Sequence, residues 1–424
     1  MSPAPGRPST RSEVLVNRRV FSQILAFGSG LFGAQARAGD QRGDGAAKPN
    51  ANPDVGNSAV PVDAYASALD PAPVTVNDFI ARAKAKLPPA TFEYVTSGSE
   101  DEVTLRDNVE AFHRIKLLPP LLHGVSEADL STTILGQKIA LPVLLAPVAG
   151  LRLYHPEGAL ASARASARAG TIFAASTSAF HSIEQIAEAS PGPKWFQLYV
   201  PKDRAIALQM VQRAEKAGYK AIVVTVDLGE RKDADLRNKF SVPRDILLQH
   251  MRDVGHTNLP DTIPYDELMT FNANCWAPSL SWEFFEWLRG KTKLPIVLKG
   301  VMTTEAARKA VQLGLNGIVV SNHGGRRIDT LPASIDVLRD VVDAAQDKIE
   351  IILDSGVRRG VDVLKAIALG AKAVMIGRPH AWALAAGGEA GVKRVLDIFR
   401  DELTNSMIAC GCPSVDKITA DILK

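Results

Sequence analysis

Residues 315–329 read Leu315-Asn316-Gly317-Ile318-Val319-Val320-Ser321-Asn322-His323-Gly324-Gly325-Arg326-Arg327-Ile328-Asp329. The first part is a short, β-branched apolar run, the pattern of a parallel strand buried on both faces. The second part is a polar turn carrying a histidine and, three residues later, an arginine. Its glycines let backbone approach a ligand closely. A histidine can take a proton near neutral pH, and an arginine can hold a carboxylate through a two-pronged hydrogen bond. That equipment suits chemistry at the carbon beside a carboxylate. Taken alone, the nonapeptide also fits an ordinary turn with two solvated arginines, so the rest of the chain has to decide.

Outward from this stretch the same rhythm recurs. Apolar runs at 141–146, 171–175, 195–199, 221–226, 295–299, 316–320, 349–353 and 372–376 alternate with longer segments that suit crossover helices. Eight such units predict an α/β protein of the TIM type, a closed parallel (β/α)8 barrel, rather than an open sheet. No Gly-x-Gly-x-x-Gly follows the first run, which argues against a dinucleotide-binding sheet. About seventy residues separate the fourth run from the fifth, 226 to 295. A connection of that length predicts a long lid loop after strand 4. Before the barrel, Thr75 or Asn77 can cap a helix reaching about Lys86, the start of an N-terminal helical extension.

In such a barrel the chemistry belongs at the C-terminal ends of the strands. Read in order, those ends offer Ala149 and Gly150, Ser176, Gln197 with Tyr199, Thr225 with Asp227, and Lys299. They continue with Ser321, His323 and Arg326, then Asp354, Gly356 and Arg358, then Gly377 and Arg378. Glycines and arginines after strands seven and eight are the usual phosphate cradle of this fold. A mononucleotide held there would lie across the barrel mouth with Lys299 beside its ring, which is how a flavin is recognised.

The flanking sequence has its own message. The 424 residues carry a formal charge of +3; residues 1–38 hold five arginines against one glutamate, leaving the remainder at −1. A nearly neutral barrel gives no electrostatic case for nucleic acid. Asn17-Arg18-Arg19-Val20-Phe21 precedes a mildly apolar segment, and Ala36-Arg37-Ala38 offers a small-x-small cleavage site. Residues 1–38 thus read as a twin-arginine signal peptide and 39–74 as a flexible linker. The ordered domain is then 75–424, with a periplasmic, bacterial location expected. Three cysteines make no disulfide framework, and no Cys or His cluster has metal-ligand spacing.

From about 75 to 420 the chain resembles the FMN-dependent α-hydroxy acid oxidases and dehydrogenases, such as glycolate and lactate oxidases and mandelate and lactate dehydrogenases. The resemblance rests on Tyr94-Val95-Thr96-Ser97-Gly98, Phe196-Gln197-Leu198-Tyr199, Thr225-Val226-Asp227, Leu298-Lys299-Gly300 and 321–329. Asp354-Ser355-Gly356-Val357-Arg358-Arg359-Gly360 and Ile376-Gly377-Arg378-Pro379 complete it. It implies an FMN enzyme oxidising an (S)-2-hydroxy acid, lactate-like or larger, to the 2-oxo acid. His323 would take the substrate proton, supported by Asp227, with Arg326 and Tyr94 holding the carboxylate and Tyr199 the hydroxyl. Lys299, Gln197, Ala149, Ser176, Thr225 and Ser321 would face the flavin, Asp354 the ribityl chain, and Gly356, Arg358, Gly377 and Arg378 the phosphate. An Asp beside the histidine is expected to raise the proton affinity of the imidazole.

Departures from the family pattern are also visible. Aligned on 235–240, the second active-site arginine of the family falls on Lys232, and a lysine cannot reproduce a guanidinium fork. Ser178 stands where glycolate oxidases have a bulky aromatic residue, which implies room for a larger substrate side chain. Val148 replaces a commonly hydroxylated neighbour of the flavin, and Gly150 bears on oxygen access. The resemblance leaves the second electron acceptor open between oxygen, a quinone and a cytochrome, and implies a homotetramer. The readings to be set against it are an FMN barrel of another reaction type and a non-catalytic flavin- or ligand-binding protein.

Overall fold

In the run Ile222-Val223-Val224-Thr225 all four side chains are buried, but they face two different cores. Ile222 and Val224 join the apolar layer between sheet and helices, whereas Val223 joins a separate cluster inside the sheet. Ile318 and Val320 against Val319 repeat the division. That two-sided burial explains why the strands read as continuous apolar runs.

The computed structural model describes residues 69–227, 229 and 233–424. Eight parallel strands close into a barrel: β3 (Val143–Leu145), β4 (Phe173–Ser176), β5 (Lys194–Leu198), β6 (Ile222–Thr225), β7 (Ile296–Val301), β8 (Gly317–Val320), β9 (Glu350–Leu353) and β10 (Ala373–Ile376), with β10 pairing β3. Each lies within the run expected for it or overlaps it closely. Register positions the site: Ser176 stands beside Gln197, and Thr225 beside Lys299.

Below the barrel is an element that alternation did not reveal, a hairpin of β1 (Thr132–Ile134) and β2 (Gln137–Ile139). Leu135 and Gly136 turn it with positive φ at both positions, the geometry that suits a two-residue hairpin. Ile134 and Ile139 pack into the interior cluster with Leu144, Trp195 and Met375, so the hairpin plugs the floor.

The long connection expected after strand 4 is present, and within 226–295 it carries helices over Asp233–Asn238, Arg244–Asp253, Tyr265–Cys275 and Trp282–Arg289. Apolar side chains at helical spacing bury Leu247, Leu248 and Met251 in one and Phe284, Phe285 and Leu288 in another, which holds the excursion against the barrel. The ordered chain begins earlier than the expected 75. Leu69 is buried in the main core, and the buried Arg394 donates to the carbonyl of Pro73 at 2.9 Å. The expected signal peptide, 1–38, and residues 39–68 of the expected linker lie outside the described residues. The first helix is Asp78–Lys86 as expected. Its first amides, those of Asp78, Phe79 and Ile80, donate to the carbonyls of Thr75, Val76 and Asn77; Asn77 holds the N-cap position without a side-chain bond, and the Asp78 carboxylate accepts from the preceding amides of Val74 and Thr75.

Candidate active site

The loop after β8 departs from the strand at Ser321 and puts His323 in the left-handed region, at φ +58°. That conformation is costly for a non-glycine residue, so neighbouring contacts must enforce it. Ser321 Oγ accepts the His323 amide at 3.0 Å. Asn322 and Asn108 exchange amide hydrogen bonds of 2.7 and 2.9 Å, tying the loop to the helix Val103–Arg114. At the far end of the loop the Asp329 carboxylate accepts from the Val103 and Thr104 amides at 3.0 and 2.8 Å, satisfying the exposed start of that helix. These bonds hold the Asp329 carboxyl below its ordinary range despite desolvation. The N-terminal extension thus fixes the histidine loop; Asn108, Asn322 and Asp329 do this without standing in the site.

The imidazole of His323 meets the Asp227 carboxylate through Nδ1, at 3.0 and 3.1 Å to the two oxygens. Nδ1–H donates to Asp227, which leaves Nε2 as the acceptor, 3.5 Å from Tyr199 Oη. The room for Asp227 is made by Gly300, at φ +106°, where a Cβ would lie 2.6 Å from the carboxylate carbon. Asp227 raises the basicity of the imidazole as expected, but it does not prevail. Burial, followed by the Arg327 charge, outweighs Asp227 and pulls His323 down from 6.5 to about 4. Asp227 itself is held below its ordinary value: burial opposes ionisation, but His323, Lys299 and Arg327 prevail. The result is a neutral imidazole with a free lone pair near pH 7, the state a base needs.

Lys299 Nζ lies 2.9 Å from the Asp354 carboxylate and 3.0 Å from Ser321 Oγ. Burial alone would discharge it, yet Asp354 and Asp227 hold its pKa above the ordinary value, so it stays a cation. Behind this group, Gln197 Oε1 accepts from Ser176 Oγ at 3.0 Å and its Nε2 donates to Thr225 Oγ1 at 3.0 Å.

At the opposite end the guanidiniums of Arg326, Arg358 and Arg378 approach one another. Arg378 opens the helix Arg378–Ala409 and donates to the carbonyls of Thr96, Gly324 and Ser97. Arg358 donates to Val357 O, while Arg326 donates to Tyr94 O at 2.7 Å and Ser97 O at 3.3 Å. Among the described residues none of the three has a carboxylate within ion-pair distance. Burial pulls Arg358 down to about 10, and burial with the two neighbouring guanidiniums pulls Arg378 well below its ordinary value. Half-buried like charges met by carbonyls, and for Arg326 and Arg358 also by the Tyr94 and Trp382 rings, fit an anionic ligand such as a phosphate monoester. Gly356, by contrast, is required by packing: at φ +88° its Cβ would lie 1.9 Å from the carbonyl of Asn108.

One cavity, about 900 Å³ with its open mouth included, joins the two ends. It is lined by Tyr94, Ala149, Tyr199, Lys299, His323, Arg326, Asp354, Gly356, Arg358, Gly377 and Arg378, all expected site residues. Ser176, Gln197, Thr225 and Ser321 stand behind that lining, and Asp227 backs His323. Lys232 lies outside the described residues. Among the lining residues not singled out from sequence are Tyr154, whose hydroxyl donates to Ala149 O, and Arg327. From the excursion, Phe240 stacks on the Tyr94 ring at 4.0 Å, and Trp276 meets Tyr199 edge-on at 6.4 Å. The excursion thus walls the substrate side. A phosphate at the arginine end, a planar ring beside Lys299 and a small acid between Arg326, Tyr199 and His323 can share this volume.

Comparison with known proteins agrees. A family model described as FMN-dependent dehydrogenase matches residues 83–424. Glycolate oxidase of Spinacia oleracea is 48% identical over 347 residues, covering 81% of this chain and 94% of that protein. 2-Hydroxyacid oxidase 1 of Homo sapiens is 45% identical over 357 residues, covering 83% and 96%. A crystal structure of mandelate oxidase matches with a TM-score of 0.74 at 39% identity, covering 83% of this chain and 98% of that one. The likeness extends from within the first helix to Lys424 and takes in both ends of the cavity: the chain belongs to the FMN-dependent dehydrogenase family.

Proposed function

We propose that this chain oxidises an (S)-2-hydroxy acid to the 2-oxo acid, with FMN bound in the barrel mouth. The observation that carries the reading is the imidazole of His323, held by Asp227 and facing Tyr199, in one cavity with the arginine cluster. Arg326 and Tyr94 hold the substrate carboxylate, Tyr199 contacts the reacting hydroxyl, and Nε2 of His323 takes the proton the substrate gives up. Arg358 and Arg378 would hold the phosphate of FMN, Asp354 its ribityl chain, and the Lys299 cation would offset negative charge on it. When bound, FMN would supply the sink for two electrons. Lys232, where the family pattern has an arginine, modifies carboxylate binding.

The experiment is an anaerobic visible spectrum of the FMN-loaded protein, titrated with glycolate, lactate, mandelate and a longer 2-hydroxy acid. Bleaching of the flavin band by at least one acid is expected, with lactate or a larger acid preferred over glycolate. A flavin spectrum that none of them changes would sink the reading and leave another FMN reaction or a binding protein. Admitting air then tests the acceptor: the relatives named above are oxidases, which favours oxygen, while an export leader favours a quinone or cytochrome of a respiratory chain. The paired Arg18-Arg19 and the Ala36-Arg37-Ala38 site support export to the periplasm. Replacing both arginines by lysine should retain the protein inside the cell.

A further inference from the structure

Arg327 follows Arg326 in sequence but turns to a different part of the cavity. Arg326 reaches back to the carbonyls of the N-terminal extension, with its guanidinium 5.1 Å over the Tyr94 ring. Arg327 instead donates from Nη2 to Tyr199 Oη at 2.8 Å and from Nη1 to the carbonyl of Gly229 at 3.2 Å. Its Nε lies 3.3 Å from His323 Nδ1, the nitrogen that Asp227 engages more closely. One rigid fork therefore links the end of β5, the chain beyond β6 and the histidine loop after β8. Such a link uses the planar, fixed donor geometry that distinguishes arginine from lysine.

We propose that Arg327 is a positioning residue for the oxidation: by donating to Tyr199 Oη it turns the phenol hydrogen toward the substrate oxygen and the Nε2 side of His323. The reasoning is one of hydrogen-bond capacity. A phenol oxygen that accepts from a guanidinium keeps a single hydrogen to give, and that hydrogen cannot point back at the donor. Tyr199 Oη lies 3.5 Å from Nε2, so the remaining direction lies between base and substrate. A charged donor also polarises the phenol and strengthens the bond it makes in turn. The same cation presses on His323. Among the described residues, the charged groups that act on the imidazole are Asp227, which favours its protonation, and Arg327 and Lys299, which oppose it. Burial lowers its proton affinity most, and Arg327, the stronger of the two opposing charges, adds to that against Asp227.

The inference rests on the reading of His323 as base and Tyr199 as hydroxyl partner. Its test uses the FMN-loaded protein with Arg327→Gln, Arg327→Lys, Tyr199→Phe and the double variant Tyr199→Phe with Arg327→Gln. The rate of flavin bleaching and the pH dependence of kcat/KM are measured for each. Arg327→Gln is expected to slow bleaching roughly 10- to 100-fold, the cost of a hydrogen bond to a charged group, and to move the acid limb to higher pH. Arg327→Lys should return the limb toward its original position while recovering only part of the rate, since an ammonium restores charge but not the fork. The double variant should be about as slow as Tyr199→Phe alone, because the arginine acts through that phenol. A slower Arg327→Gln enzyme with an unmoved limb, or effects that multiply in the double variant, would overturn the proposal. Should Arg327→Gln fail to retain FMN, the lysine variant carries the test: an unchanged rate and limb would also overturn it. If no acid bleaches the parent enzyme, the underlying reading fails first.

Discussion

The two ends of the cavity balance charge in opposite ways. At the histidine end two buried nitrogen groups face carboxylates: the imidazole of His323 faces Asp227, and the Lys299 ammonium faces Asp354. At the arginine end Arg326, Arg358 and Arg378 are met by backbone carbonyls, and the guanidiniums of Arg358 and Arg378 are correspondingly destabilised. A carbonyl dipole offsets only part of the cost of burying a full charge. The first end is thus complete within the protein, and small changes in it should alter rates. The second end leaves charge that a bound anion would offset, and changes there should alter occupancy.

The largest test of that contrast is His323→Gln. The variant should keep its yellow, FMN-loaded form while substrate-driven bleaching falls about 10²- to 10⁴-fold, the usual contribution of a positioned base. Bleaching at the parental rate would show that the proton goes elsewhere. The parent enzyme carries a pH prediction on the same residue. Because burial and Arg327 pull His323 down to about 4, kcat/KM should hold steady as pH falls below 6.5 and decline only near 4. A limb at 6.5 or above would mean that Asp227 dominates after all.

Arg378→Gln is the matching change at the other end. Losing charge-assisted bonds to a phosphate should weaken FMN binding about 10- to 100-fold per bond lost, read by flavin release on dilution. Once reloaded with excess FMN, the variant should bleach at close to the parental rate. A variant that kept its FMN but bled activity would reverse the contrast. The smallest effect expected is that of Asn108→Ala, which removes both bonds between Asn108 and the buried Asn322 amide and the acceptor of the Ser334 amide, while Asn322 keeps its bond to Pro332 O. It should cost about 1–3 kcal/mol and lower Tm by a few degrees, with a smaller loss of rate as the His323 loop slackens. An unchanged Tm would show that the Asn108–Asn322 pair does not brace the loop.

Much of this was legible in the chain itself. All eight barrel strands were visible as apolar runs, because a strand buried on both faces has to be apolar at nearly every position. The polar residues at their ends were also visible, since a barrel puts them together whatever the helices between do. The excursion at 226–295 was harder to read. Its helices are short and interrupted by prolines at 243, 260, 264 and 278, so it resembled a loop. The hairpin at 132–139 was hidden by its length, since strands of three residues give alternation no room to show.

What the sequence by itself determined is the order of strands and the residue types delivered to the barrel mouth. Periodicity and spacing are local properties, and closing eight parallel strands converts them into a site without further choice. Only the tertiary structure decided which of those residues meet. Arg326 and Arg327 are neighbours in the chain, yet one turns to the N-terminal extension and the other to Tyr199, because the left-handed turn at His323 and the bonds of Asn322 and Asp329 set the direction of the loop. The protonation state of the base was likewise out of reach. It depends on burial and on Arg327, which lies four residues along the chain yet beside the same ring nitrogen, and electrostatic work is set by distance in space.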